Sequence, residues 1–205
     1  MRHNVVALPL AALSLLAFSP AYAGDVTIDV RTPDGQPVAD AVVTVQPAAA
    51  RGAQWIRFAW GVVMNQHNIA FDPYVLVVPV GSDVVFPNKD KVRHHVYSFS
   101  PAKKFELKLY GREEARTVRF DKPGIVALGC NIHDQMIGYV VVVDTPYAAK
   151  SSASGQVVLR GVPAGGATLT VWHPKSKDRV TPARPVTVTA APMRQAATVA
   201  LRAVQ

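Results

Sequence analysis

One cysteine in 205 residues excludes an internal disulfide. A second long apolar run is missing after the N-terminus, so no stable membrane span is expected further along the chain. Helix signals are nearly absent beyond the first 23 residues. Carboxylates are scarce, with 14 Asp and Glu against 22 Lys and Arg, for a formal net charge of +8. That balance suits an anionic protein partner or a membrane surface. The basic residues do not lie in one block, so nucleic acid is a poor fit. No paired acid and base stands out, which argues against an enzyme.

What is present begins with a leader. Residues 1–23 place Arg2 before an apolar stretch from Val5 to Phe18, then Ala21-Tyr22-Ala23 as a small-x-small cleavage site. This is expected to be a signal peptide that sends the chain to the periplasm. Cleavage after Ala23 leaves a chain beginning Gly24 and removes Arg2, taking one unit off the positive charge. In an exported protein a lone Cys130 is an intermolecular cross-link, a free thiol, a metal ligand or an inert buried residue. Its neighbours must decide.

Short runs of Val, Thr, Ile and aromatic residues fill the rest, broken by Gly, Pro and Asp. Val26–Val30 alternates, Thr32-Pro33-Asp34-Gly35 makes a turn, and Ala41–Val45 follows, which together predict a hairpin. Further strands are expected at 74–80, 83–86, 95–99, 105–109, 115–120, 124–129 and 139–143. A last group falls at 156–159, 168–172, 186–189 and 197–201. Many short strands at this spacing predict an all-β protein built of sandwiches or barrels. The tract at 47–53 and the run at 150–154 read as seams.

Arg31-Thr-Pro-Asp-Gly-Gln-Pro-Val-Ala-Asp-Ala-Val-Val-Thr-Val45 resembles the opening of a carboxypeptidase-regulatory-like, transthyretin-related β-sandwich. The second half of that pattern, a Gly, a strand and a Gly-x-Pro-Ala-Gly turn, comes only at Ser154 to Gly165. The resemblance implies one small Ig/transthyretin-like sandwich split in sequence, 24–50 with 150–205, around an inserted block at 64–145.

Chemistry concentrates in that block. Gly129-Cys130-Asn-Ile-His133-Asp-Gln-Met136 sets thiolate, imidazole and thioether on one short loop, a soft donor set that favours copper. A blue-copper site takes two His and one Cys in a plane with a weak axial Met. A second imidazole must therefore come from elsewhere, and His94-His95 lies 36 residues upstream of the cysteine. Taken singly, Met136 also reads as a core thioether, His133 as an exposed loop residue and Cys130 as a small buried apolar one.

The block is similar to the cupredoxin family (plastocyanin, pseudoazurin, amicyanin). Gly81-x-x-Val84-x-Phe86-x-Asn88, a following His, and Gly124 ahead of Cys-x2-His-x2-Met keep the family's order. His94-x-Val-Tyr-Ser-Phe-Ser-Pro-Ala-Lys103 and Leu128-Gly-Cys-Asn-Ile-His133 also resemble small exported methylamine-utilisation, plastocyanin-like proteins. The resemblance implies a Greek-key sandwich holding one type 1 copper ion on His94, Cys130, His133 and Met136. It puts His94 on the metal and His95 where the family has Asn, and strand alternation forbids both from facing one ion.

The expected role is one-electron transfer between redox partners, such as a cytochrome or a dehydrogenase. The rival readings are a copper chaperone or sensor without electron transfer, and an adhesion or assembly module. Lys103, Lys104, Lys108 and Arg112 form a basic stretch that can steer an acidic partner. His67 and His173 lack ligand companions and read as surface residues.

Overall fold

The computed structural model describes residues 23–48, 56–178 and 182–202. The leader expected at 1–23 lies outside them apart from Ala23, as does most of the 47–53 tract. Sixteen strands and no α-helix make up the described residues, so the protein is all-β. They are β1 (Ala23–Arg31), β2 (Val42–Pro47), β3 (Asn65–His67), β4 (Ala70–Asp72), β5 (Val75–Pro79) and β6 (Ser82–Pro87). Next come β7 (His94–Ser100), β8 (Lys103–Tyr110), β9 (Ala115–Phe120), β10 (Gly124–Cys130) and β11 (Ile137–Val143). The chain closes with β12 (Ala148–Lys150), β13 (Gln156–Pro163), β14 (Gly165–Trp172), β15 (Arg184–Val188) and β16 (Met193–Thr198).

Strands from the two ends of the chain share sheets. A three-stranded sheet runs β13-β1-β16 and a four-stranded one β12-β2-β14-β15. Val26, Ile28 and Val30 of β1 alternate inward against Val43, Val45, Val157, Leu159 and Leu169, which forms one sandwich core. The hairpin expected of β1 and β2 does not exist. β1 pairs antiparallel with β13 and parallel with β16, while β2 lies in the facing sheet. The residues between them cross from sheet to sheet, and Val38 and Ala41 are buried on the way. Both edges of β1 are filled by strands more than a hundred residues away, which no local pattern announces.

The middle of the chain builds a second sandwich. Its main sheet is five-stranded, β5-β11-β10-β7-β8, and faces the pair β6-β9 across a core of Phe86, Phe120, Leu128, Val126 and Val140. Tyr110 is buried there too, and its hydroxyl donates to the Phe86 carbonyl at 3.0 Å. Burial pushes the Tyr110 phenol up to about 12. The two sandwiches meet along a seam in which Val75, Val77, Val141 and Val143 pack on Val42, Ala148 and Trp172. Trp172 and Tyr139 meet edge to face there, with ring centroids 5.3 Å apart.

A two-strand ribbon, β3-β4, has no counterpart among the expected strands. Its two-residue loop carries Asn68 and Ile69, both at φ 56°. Two positive φ values are what a tight right-twisted hairpin requires, but Asn-Ile lacks the glycine that signals such a turn. A β-branched residue is costly in that region. The carboxylate of Asp90 compensates by accepting from the amides of Asn68, at 2.6 Å, and Ile69, at 3.0 Å.

Candidate metal centre

Cross-strand register brings the cysteine to the histidine. Cys130, the last residue of β10, stands opposite Val96 of β7, and Gly129 opposite Tyr97. The amide of Asn131 then donates to the carbonyl of His95 at 3.0 Å, which fixes the departure of the 130–136 loop. Within the loop, the amide of Met136 donates back to the carbonyl of His133 at 2.9 Å, folding it into a tight turn.

Three donors converge as a result. The Cys130 Sγ lies 3.8 Å from Nδ1 of His94 and 3.6 Å from Nδ1 of His133. The three donor atoms all sit within 4.8 Å of one another. Bond lengths of a first-row ion such as zinc, about 2.3 Å to sulfur and about 2.0–2.1 Å to imidazole nitrogen, predict the S···N separation. It is roughly 3.6 Å at a tetrahedral angle and roughly 3.8 Å at a trigonal one. The observed distances fit a shared metal ion. His94 and Cys130 are buried and His133 is half-buried, so the site has one partly open side. Met136 is buried in the same apolar cluster as Cys130, Val96 and Phe86.

Alternation along β7 separates the two adjacent histidines. His94 points inward to the sulfur, whereas His95 points outward and its Nε2 lies 2.8 Å from Oε1 of Glu106. A bulge between His94 and Val96 in the β7–β8 ladder accompanies this change.

The far nitrogen of His94 has a partner that sequence reasoning missed. Its Nε2 lies 2.7 Å from Oδ2 of Asp90, four residues earlier. Desolvation pushes the Asp90 carboxyl up. The amide of Ile69, the His94 ring and the amide of Asn68 together outweigh it and hold the group below the usual carboxylate range. An ionised carboxylate only accepts, so Nε2 carries the proton and donates to Asp90. That tautomer leaves the Nδ1 lone pair free and aimed at the sulfur side, as a metal ligand requires.

Asn88 holds Asp90 in place. Fully buried, it accepts from the Asp90 amide at 2.8 Å through Oδ1 and donates from Nδ2 to the Val92 carbonyl at 2.9 Å. His94 is therefore supported through residues 88 and 90, with its neighbour His95 turned outward. The signal in the sequence is the Asn-Lys-Asp run four to six residues before the histidine.

No protein-family profile and no curated protein matches the sequence. Solved structures do show similarity. A novel purple cupredoxin from Nitrosopumilus maritimus is 23% identical with a TM-score of 0.36, over 40% of this chain and 96% of that one. Amicyanin, as the reduced Cu(I) form of a P52G mutant, is 25% identical with a TM-score of 0.37, over 49% of this chain and 98% of that one. A Cu-containing nitrite reductase from Thermus scotoductus is 27% identical with a TM-score of 0.39, over 49% of this chain and 27% of that one.

Other residues singled out in the sequence fall elsewhere. His67 is exposed at the end of β3. His173, expected at the surface, is buried instead, and its Nδ1 accepts from the Lys175 amide at 3.1 Å. Desolvation pushes its pKa down. Of the basic stretch, Lys103 pairs with Asp121 at 3.2 Å and Arg112 with Glu113 at 3.4 Å. Lys104 and Lys108 have no carboxylate partner among the described residues. No described helix is long and apolar enough to cross a membrane.

Proposed function

We propose that this chain is a periplasmic type 1 copper protein of cupredoxin kind that carries single electrons between redox proteins and is not itself an enzyme. The observation that supports it most is the convergence of Cys130, His94 and His133 at separations suited to one bridging ion. Two imidazoles and a thiolate with a buried thioether close in sequence make a soft donor set that favours copper.

His94, Cys130 and His133 would hold the ion, and Met136, buried in the same apolar cluster as Cys130, would offer a thioether to it. A bound copper supplies a one-electron couple. The protein does the rest. Asp90 fixes the ring plane and tautomer of His94, and the β7–β10 register presents the sulfur. Phe86, Val96 and Leu128 keep water from the sulfur side, which limits reorganisation and raises the influence of nearby dipoles. In the same reading, residues 64–145 are the copper domain, inserted between the halves (24–50 and 150–205) of a regulatory-like sandwich. The pairing of β1 and β2 with strands after residue 147 supports that division.

Titration of the purified protein with Cu(II), followed by visible absorption, tests the reading. An intense blue or purple charge-transfer band that bleaches reversibly with ascorbate is expected. Colourless, tight Cu(I) binding would replace the carrier with a chaperone or sensor. Absence of copper binding would remove both.

A further inference from the structure

We infer that the uncovered half of the five-stranded sheet, centred on Tyr97 and Phe99, is the docking face for a protein partner presenting an apolar patch rimmed by carboxylates. The inference rests on the reading of the Cys130 site as an electron-transfer centre. The outer face of this sheet is divided. Its β5–β11 side is covered by the second sandwich through Val75, Val77, Val141 and Val143. Its β10–β7–β8 side is open, and a groove of about 500 Å³ lies on it.

Large apolar side chains line that groove with nothing over them. Phe99 is 79% exposed and Ile137 47%. Tyr97 stacks at a tilt on Phe99, ring centroids 5.2 Å apart, so the exposed ring is one end of an aromatic pair. Single exposed apolar residues are ordinary, but a contiguous aromatic patch marks an interaction site.

The groove borders the candidate centre. Cys130 is among its lining residues. Gly129 beside it has no side chain because Tyr97 occupies the space. A Cβ there would meet the Tyr97 Cζ at 2.7 Å. A partner seated on Phe99 is thus separated from Cys130 by one phenol ring and one residue of backbone.

Charge selects the kind of partner. Lys104 stands opposite Phe99 in the β7–β8 register, and Lys108 lies four residues on. Both are exposed and neither has a carboxylate partner among the described residues. Glu106 between them lies 2.8 Å from Nε2 of His95, through its Oε1. Asp134 at the other end of the groove is the one acidic residue in its lining. The chain as a whole carries +8. An acidic rim is steered to this face and a basic one is repelled from it.

Nitrogen-15 NMR of the Cu(I)-loaded protein tests the face with two probes. One is hexacyanochromate(III), a paramagnetic anion. The other is a soluble monohaem c-type cytochrome of net negative charge. Both should perturb the amides of Tyr97, Phe99, Lys104 and Gly129 most strongly. Cytochrome affinity should fall at least about tenfold in Lys104→Glu with Lys108→Glu, and likewise in about 0.5 M salt. Perturbation centred instead on His133 and the 50%-exposed Ile132, no perturbation by either probe, or indifference to the double substitution would overturn the proposal. The absorption spectrum of the double variant should equal that of the wild type. The same map on metal-free protein separates the two claims: a chain that takes no copper loses the electron-transfer reading, whereas a map elsewhere removes the docking face.

Discussion

The Nε2 of His94 lies 2.7 Å from Oδ2 of Asp90, and the same carboxylate holds the amides of Asn68 and Ile69. One side chain therefore joins an inward-facing imidazole to a strained two-residue turn. Replacing Asp90 acts on both at once.

Asp90→Ala is expected to weaken copper binding by roughly 10–100-fold, the usual range when a ligand's supporting partner is lost. Asp90→Asn, which still accepts through one oxygen, should fall between that variant and the wild type. Competition with a chelator of known affinity measures the first effect. Urea unfolding of the metal-free protein measures the second, an expected loss of about 1–3 kcal/mol from the unpartnered turn amides. Equal copper affinity in all three proteins would contradict the role given to Asp90.

Gly129 and Tyr97 should be coupled. A methyl group at residue 129 meets the Tyr97 ring at 2.7 Å from its Cζ, so Gly129→Ala is expected to destabilise by about 1–3 kcal/mol through overpacking. In a Tyr97→Ala background the same change should cost far less. A double-mutant cycle by thermal unfolding reads the difference, and additivity would show that the ring does not occupy that space.

Much of the fold and of the candidate metal site's grouping of residues is legible in the sequence, for physical reasons that differ by element. Strands of the middle block announce themselves by alternation and by Pro and Gly at their ends, so 115–120 emerges with its boundaries unchanged. The soft-donor loop is legible because thiolate, imidazole and thioether rarely share eight residues by chance. Alternation along β7 also separates His94 from His95. Other features depend on pairing at a distance. β1 looks like half of a hairpin because its partners, β13 and β16, lie far along the chain. The β3–β4 turn is hidden because Asp90, not a glycine, makes it tolerable. His173 reads as a surface residue until Trp172 beside it is seen to fill the seam.

The seam between the sandwiches makes a separate prediction. Trp172→Ala removes the ring that meets Tyr139 and should cost about 3–5 kcal/mol. Calorimetry of the metal-free variant should resolve two transitions where the wild type shows one. A single unsplit transition at the wild-type temperature would mean that the seam does not couple the two cores.

Acid sensitivity should trace in part to Asp29. The Arg194 guanidinium donates to both its oxygens, one at 2.6 Å, and holds the carboxyl below its ordinary value. A depressed folded-state pKa stabilises above the unfolded value of about 3.9 and loses that contribution as pH falls through the folded one. Asp29→Asn should therefore flatten the stability curve below about pH 4. Denaturant midpoints collected from pH 6 to pH 2.5 check this, and an unchanged acid limb would refute it.

One ion shared by Cys130, His94 and His133 underlies the proposed function, and Cys130→Ser tests it most directly. Wild-type protein titrated with Cu(II) should develop an intense visible thiolate-to-copper band that saturates at one equivalent. The serine variant, with an unchanged far-ultraviolet circular dichroism spectrum, should develop none. A band of equal strength in both proteins, or in neither, would contradict the shared ion.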